Sequence, residues 1–139
     1  MKQKYQYFIA SRWRNRDSVL ELAKKLRQKG KVVYCFMETD KFHSFAADPE
    51  ETMQQFEATP DWKNSTMIQQ IFKKDMDALK ASETIVLLLP AGKSAHIEAG
   101  VGYGLGKKLV VIAQQKEAES LYMIFNEHYQ TVDDFIYHL

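Results

Sequence analysis

Glu98 is the residue best placed to do chemistry in this 139-residue chain. Between Ser94 and Gly106 it is the only Asp, Glu, Lys or Arg, and its neighbours are Ala95, Ile97, Ala99 and Val101. Glycines at 100, 102, 104 and 106 alternate with apolar residues in a stretch that reads as a helix. Each interior glycine costs roughly 1 kcal/mol relative to alanine. Their retention predicts that another backbone or a ligand comes close. A second carboxyl group, Asp75, lies seven residues after Ile68, four after Ile71 and four before Leu79, within an apolar helical stripe. Asp77 falls on the opposite side with Lys73, Lys74 and Lys80. An acid on a buried stripe must be paired, hydrogen-bonded or shifted in pKa. Two carboxyl groups carried by different elements suit cleavage of a glycosidic bond, one attacking the anomeric carbon and the other assisting the leaving group. The structural alternatives are a helix packed tightly on a sheet, with Glu98 favoured by the helix dipole, and an Asp75 bonded to a loop.

Other motifs fail on their chemistry. His96-x-Glu98 has the spacing of a zinc-deaminase H-x-E, yet no P-C-x-x-C follows and Cys35, the only cysteine, lies upstream. One cysteine also excludes an internal disulfide. Gly92-Lys93-Ser94-Ala95-His96 occupies the place of a nucleophile elbow but ends in His rather than Gly. The glycines at 100–106 have the wrong spacing for a dinucleotide fingerprint and precede a strand instead of following one. His43, His128 and His138 show no metal-ligand spacing.

The elements that must position these residues alternate between strand and helix. Residues 7–10, 32–36, 84–89 and 109–113 are apolar or β-branched runs and are expected to be strands. A capping box at Ser18 and Glu21 predicts a helix that buries Val19, Leu22, Ala23 and Leu26 and closes at Gly30. Residues 37–64 are less regular, with a helix start at Asp48-Pro49 and a limit at Pro60. A longer helix is expected over 65–81 on the stripe Ile68, Ile71, Phe72, Met76 and Leu79. The Gly-rich helix is expected over 94–105, a further helix at 121–125, and a last one capped by Thr131. Such alternation predicts a parallel sheet with helices on both faces. Ligands then sit beyond the carboxyl ends of the strands, which singles out loops 11–15 and 90–94.

The block Ile85-Val-Leu-Leu-Leu-Pro-Ala-Gly-Lys-Ser-Ala-His-Ile-Glu98-Ala-Gly100, with Gly104-Leu-Gly-Lys and the strand after it, resembles the nucleoside 2-deoxyribosyltransferase family. Phe8-Ile-Ala-Ser-Arg-Trp13 resembles that family's first strand and substrate-lining loop, and Asp75 stands where the family has a helix aspartate. The resemblance implies a flavodoxin-like three-layer sandwich with a five-stranded parallel sheet, filling residues 1–139 as one domain. It implies Glu98 as the nucleophile of a double displacement and Asp75 as the group handling the proton on the departing base. Phe8 and Trp13 would line the base pocket, with Ser11, Arg12, Gly92 and Gly100 beside the substrate. Ser94, at a helix N-terminus, would hold a phosphate or a sugar hydroxyl. Gly92 stands where the transferases carry a second aspartate, and Leu121 where the family lends an asparagine to a neighbouring subunit. Glycosidic cleavage therefore carries over further than the choice of acceptor. Arg12 and Lys93 suit a phosphorylated substrate, as in the related deoxynucleoside monophosphate N-glycosidases.

The expected ligand is a small nucleoside or nucleotide, with no cofactor and no metal. The alternatives are an NAD glycohydrolase and a nucleotide-sensing domain without activity. A net charge of +1, from 19 basic and 18 acidic residues, gives no electrostatic case for a nucleic-acid polymer or a membrane surface. The N-terminus lacks a signal-peptide pattern, so a cytoplasmic location is expected. The resemblance, with the aromatic segment 122–125, implies a homodimer or higher oligomer. Glu98 is expected to be kept ionised by the helix N-terminus, and Asp75 to hold a proton.

Overall fold

The computed structural model describes residues 3–39 and 48–139. Five parallel strands form one sheet: β1 (Tyr5–Ala10), β2 (Val33–Tyr34), β3 (Ser82–Leu88), β4 (Lys108–Ile112) and β5 (Glu127–Tyr129), in the order β2-β1-β3-β4-β5. Alternation along β3 sends Ile85 and Leu87 to one face and Val86 and Leu88 to the other, and all four are buried. That two-sided burial is why the run carries no polar residue from 85 to 88. On one face lie α1 (Arg16–Gln28), with Val19, Leu22, Ala23 and Leu26, and α6 (Val132–Tyr137), with Phe135. On the other lie α4 (Thr66–Lys80) and α5 (Lys93–Gly104), with Ala78, Leu79, Ala95 and Ala99. This is the expected three-layer flavodoxin-like arrangement, and its strand order reverses between β1 and β3. Two short helices, α2 (Phe36–Thr39) and α3 (Pro49–Glu57), complete the α assignments, and α3 packs on the turn Trp13–Asn15.

Several local expectations hold. Gly30 adopts φ +77° at the end of α1. Asp48 caps α3, Ser65 caps α4 and Thr131 caps α6. Others are corrected. Ser18 is no cap, because the turn Trp13–Asn15 leads directly into α1 at Arg16. The second strand is only two residues long, since Phe36 already begins α2. Segment 121–125 is a 3-10 turn, Ser120–Ile124, not an α-helix. Phe72 stands outside the buried stripe of α4, 66% exposed. His43 lies outside the described residues. Among the described residues no helix is long and apolar enough to cross a membrane.

Candidate active site

The carboxyl ends of β1 and β3 are tied together by a polar link. Ser11, just past β1, donates its buried hydroxyl to the Leu88 carbonyl at 2.8 Å. Asn15 reaches Ser11 Oγ at 3.3 Å and the Pro90 carbonyl at 3.4 Å. Over this seam opens a cleft of about 250 Å³, the crevice that the change in strand order creates. Asp75, from the third turn of α4, and Glu98, from the second turn of α5, both line it. Ser11, Arg12, Trp13, Gly92 and Ser94 line the same cleft. Two predicted residues do not. Phe8 is fully buried beneath it, its ring stacked on Tyr34 with centroids 5.3 Å apart. Gly100 lies exposed, two residues past Glu98, and is absent from the cleft wall.

The glycine series divides by function. A Cβ at Gly102 would meet Ile85 Cγ1 at 2.7 Å, so glycine is what lets α5 lie flat on β3. Gly106 takes φ +74° and ends the helix. At Gly100 and Gly104 a Cβ would meet nothing within 4 Å, so close approach within this chain explains only one of the three helical glycines.

Around the carboxylates the cleft is half aromatic and half charged. Trp13, Phe36, Phe56 and Met53 supply flat apolar surface. The contributions of α2 and α3, including Glu57, were hidden in a segment whose periodicity is too short to read. Arg14 pins α3 to the first loop, with Nε 2.6 Å from Glu50 Oε2 and Nη2 2.9 Å from Glu57 Oε1. Arg12 and Lys93, both exposed, form no ion pair or hydrogen bond among the described residues. They flank the first turn of α5, whose cap Gly92 offers no side-chain acceptor. His96 braces that turn. Its Nδ1 lies 2.8 Å from the Gly92 carbonyl, which can only accept, so Nδ1 carries the proton. The Tyr122 hydroxyl then donates to Nε2 at 2.7 Å. That structural role replaces the metal-ligand pattern, and among the described residues no group of His, Cys, Asp and Glu could hold a metal.

Electrostatics correct one expectation. Burial pushes the Glu98 carboxyl up to about 8, and the Asp75 charge adds to the effect. Glu98 lies in the second turn of α5, and the dipole's influence fades beyond the first turn, so desolvation wins. No hydrogen bond reaches Glu98 among the described residues, whereas the Tyr34 hydroxyl donates to Asp75 Oδ1 at 2.8 Å. Glu98 and Asp75 therefore titrate as a coupled pair. A larger cavity, about 390 Å³, lies beyond β4 and β5 and is lined by Glu117, Glu119 and His128. It is not the candidate site, since neither Asp75 nor Glu98 reaches it.

No protein-family profile matches the chain, and no curated protein sequence is significantly similar to it. Among solved structures it is similar to the 2-deoxyribosyltransferase of the psychrotolerant bacterium Bacillus psychrosaccharolyticus. That likeness has a TM-score of 0.70 and 16% identity over 94% of this chain and 90% of that one. It is also similar to the Clostridium botulinum CMP N-glycosidase BcmB, with a TM-score of 0.57 and 19% identity over 96% of each chain. At such identities the likeness is one of fold, and it spans nearly the whole of both partners. The chain therefore has the flavodoxin-like α/β fold of a 2-deoxyribosyltransferase and a CMP N-glycosidase.

Proposed function

We propose that this chain cleaves the N-glycosidic bond of a nucleoside or nucleotide through a covalent glycosyl-Glu98 intermediate. The observation that carries the reading is the pairing of Glu98 and Asp75 in a cleft at the β1/β3 switch point. Structural roles alone explain it poorly, because a half-buried carboxyl group without a hydrogen-bond donor lowers stability. The two similar structures are a 2-deoxyribosyltransferase and a CMP N-glycosidase, and that supports the same reaction class here.

The pair starts with one proton, which passes from Glu98 to Asp75 as substrate binds, leaving Glu98 ionised. As the C–N bond breaks, its electrons leave with the base and Asp75 delivers the proton to the departing nitrogen. The ionised Glu98 carboxylate bonds to the anomeric carbon. Water then attacks that carbon, the ester bond to Glu98 breaks, and the proton released by water returns to the pair. Charge and protons balance over the cycle, and two inversions retain configuration. A second base in place of water would make the reaction a transfer. Trp13, Phe36 and Phe56 offer the base a stacking surface. Arg12, Lys93 and the first turn of α5, with Ser94, suit a phosphate on the sugar and favour a nucleoside monophosphate as substrate.

The test is incubation with nucleosides, nucleoside monophosphates and NAD, followed by chromatography for free base. Release from a monophosphate supports the reading; nicotinamide from NAD alone points to a dinucleotide glycohydrolase. No base from any compound, with binding retained, makes the chain a nucleotide-sensing domain. A fluorinated nucleotide analogue that turns over slowly should leave an adduct on Glu98 by mass spectrometry, and a Glu98→Gln variant that keeps full activity overturns the mechanism. The chain also forms at least a homodimer on this reading, with Leu121 (72% exposed) and Met123 (88%) available to a partner. A monomer mass by light scattering at micromolar concentration overturns that part.

A further inference from the structure

Two glycines of α5 have no reason within one chain. At Gly100 and Gly104 a Cβ would meet nothing within 4 Å, yet each costs the helix roughly 1 kcal/mol relative to alanine. Both lie on the outer face of α5, opposite Ala95, Ala99 and Gly102, which are buried against the sheet. Ile97, 63% exposed, and the half-buried Val101 complete that outer face. The exposed sides of α1 and α4 carry charges, among them Glu21 and Lys24 on the first and Lys73 and Asp77 on the second. From Ser94 to Gly104 the outer face of α5 carries none, since Glu98 turns into the cleft. It is bordered instead by another apolar residue, the exposed Phe72 of the adjoining α4. An uncharged, exposed helix face of this kind marks an interaction surface. We propose that a second copy of this chain covers it, with the two α5 helices packed antiparallel about a two-fold axis between Gly100 and Val101.

The occupant follows from the pattern of the face itself. An axis midway between residues 100 and 101 sets Ile97 opposite the partner's Gly104, and Val101 opposite the partner's Gly100. Each branched side chain then meets a glycine, so the helices can approach to the short end of the usual 8–10 Å spacing, which is on the order of a small-residue contact. A copy of the chain matches such a pattern by construction, because a two-fold interface brings the same patch from both sides. The charges agree with the antiparallel direction. The positive N-terminal end of each helix lies beside the negative C-terminal end of the other. The surface is also large enough. His96 holds the Tyr122 hydroxyl at 2.7 Å, which seats the turn carrying Leu121 and Met123 on the flank of α5. With Phe72, Ile97 and Tyr103, those two residues expose an apolar area on the order of the 800 Å² per partner that a stable interface buries.

This interface deepens the homodimer of the proposed function and does not depend on the reaction. Sedimentation velocity and light scattering on the full chain, over a micromolar dilution series, should give a dimer. Gly104→Leu fills the seat of Ile97 at two equivalent contacts, so dimerisation should weaken by about tenfold at each and on the order of a hundredfold in all. The single chain should keep its circular dichroism and its melting temperature, because nothing within it lies near that position. Gly100→Ala, equally free of contacts in one chain, should weaken dimerisation by less. Engineered cysteines then read the register, since Cys35, the only native cysteine, is buried. On mild oxidation Gly100→Cys should form a disulfide-linked dimer with itself. Ile97→Cys should not, because its two copies stand about 10 Å apart along the helix axes, beyond disulfide reach. Mixed with Gly104→Cys, it should crosslink. A monomer mass throughout overturns the interface and the homodimer together. A dimer that Gly104→Leu leaves intact, or one that crosslinks through Ile97→Cys alone, overturns the interface while the homodimer stands on another surface. Absence of base release from every compound overturns the proposed reaction instead, and the dimer and its crosslinks should be unchanged.

Discussion

The substitution Glu98→Gln should stabilise the protein, and increasingly so as pH rises. The Glu98 carboxyl is raised from 4.5 to about 8 in the folded chain. Its bound proton therefore stabilises the fold fully below about 4.5, and that contribution is lost as pH climbs through about 8. Each unit of pH between those values costs up to roughly 1.4 kcal/mol. From pH 5 to pH 7 the full effect is roughly 2.7 kcal/mol, and access of water to the cleft reduces it to about 1–2 kcal/mol. Glutamine has nearly the same shape and never ionises, so it is exempt. For a chain of this length 1 kcal/mol corresponds to about 3–4 °C in melting temperature. The gap between variant and wild type should thus widen by about 3–8 °C from pH 5 to pH 7. Differential scanning calorimetry at half-unit pH steps measures it. Parallel curves for the two proteins would refute the reasoning, because they would mean that Glu98 ionises as freely in the fold as outside it. The stabilised variant should also be the inactive one, as expected where a site is built at the expense of stability.

Three other outcomes follow from the same geometry. Since the reaction needs one proton on the pair, kcat/KM should fall as pH rises through about 8; a rise there would mean that Glu98 acts only as a permanently ionised nucleophile. Asp75→Asn should slow release of a weakly acidic base by roughly a hundredfold while sparing a substrate whose base leaves as an anion, measured as kcat for the two substrates. Gly102→Ala should cost about 1–3 kcal/mol by forcing a Cβ against Ile85, whereas Gly100→Ala should be neutral or stabilising by up to about 1 kcal/mol. Equal melting temperatures for those two variants would show that α5 can lift from β3 without cost.

Whether a feature could be read from sequence depended on how far its physics reached. The buried strands around β3 and the helices α1 and α4 announced themselves because burial on a face imposes a period, and the period survives in the residue types. Asp75 was visible for the same reason, as an interruption in a stripe. β5 was not: Glu-His-Tyr is an edge strand of three residues, half exposed, and nothing in its composition separates it from a loop. The wall formed by Phe36, Met53 and Phe56 was invisible too, because α2 and α3 touch the site through one or two residues each. Phe8 shows the opposite failure. It lies beside the right loop, but alternation along β1 turns it into the core while Ser11 and Trp13 beyond the strand end reach the cleft.

Glu98 joins both lessons. Its isolation among small apolar residues is what made it stand out, and the same isolation removes the donors and water that would keep it charged. A helix start nearby argued for an anion; distance along the helix decided against it. Burial raises the Glu98 carboxyl, and the Tyr34 hydroxyl donates to its neighbour Asp75. An arrangement that began as a lone glutamate in a sequence is in the fold a three-residue unit, Tyr34, Asp75 and Glu98, drawn from β2, α4 and α5.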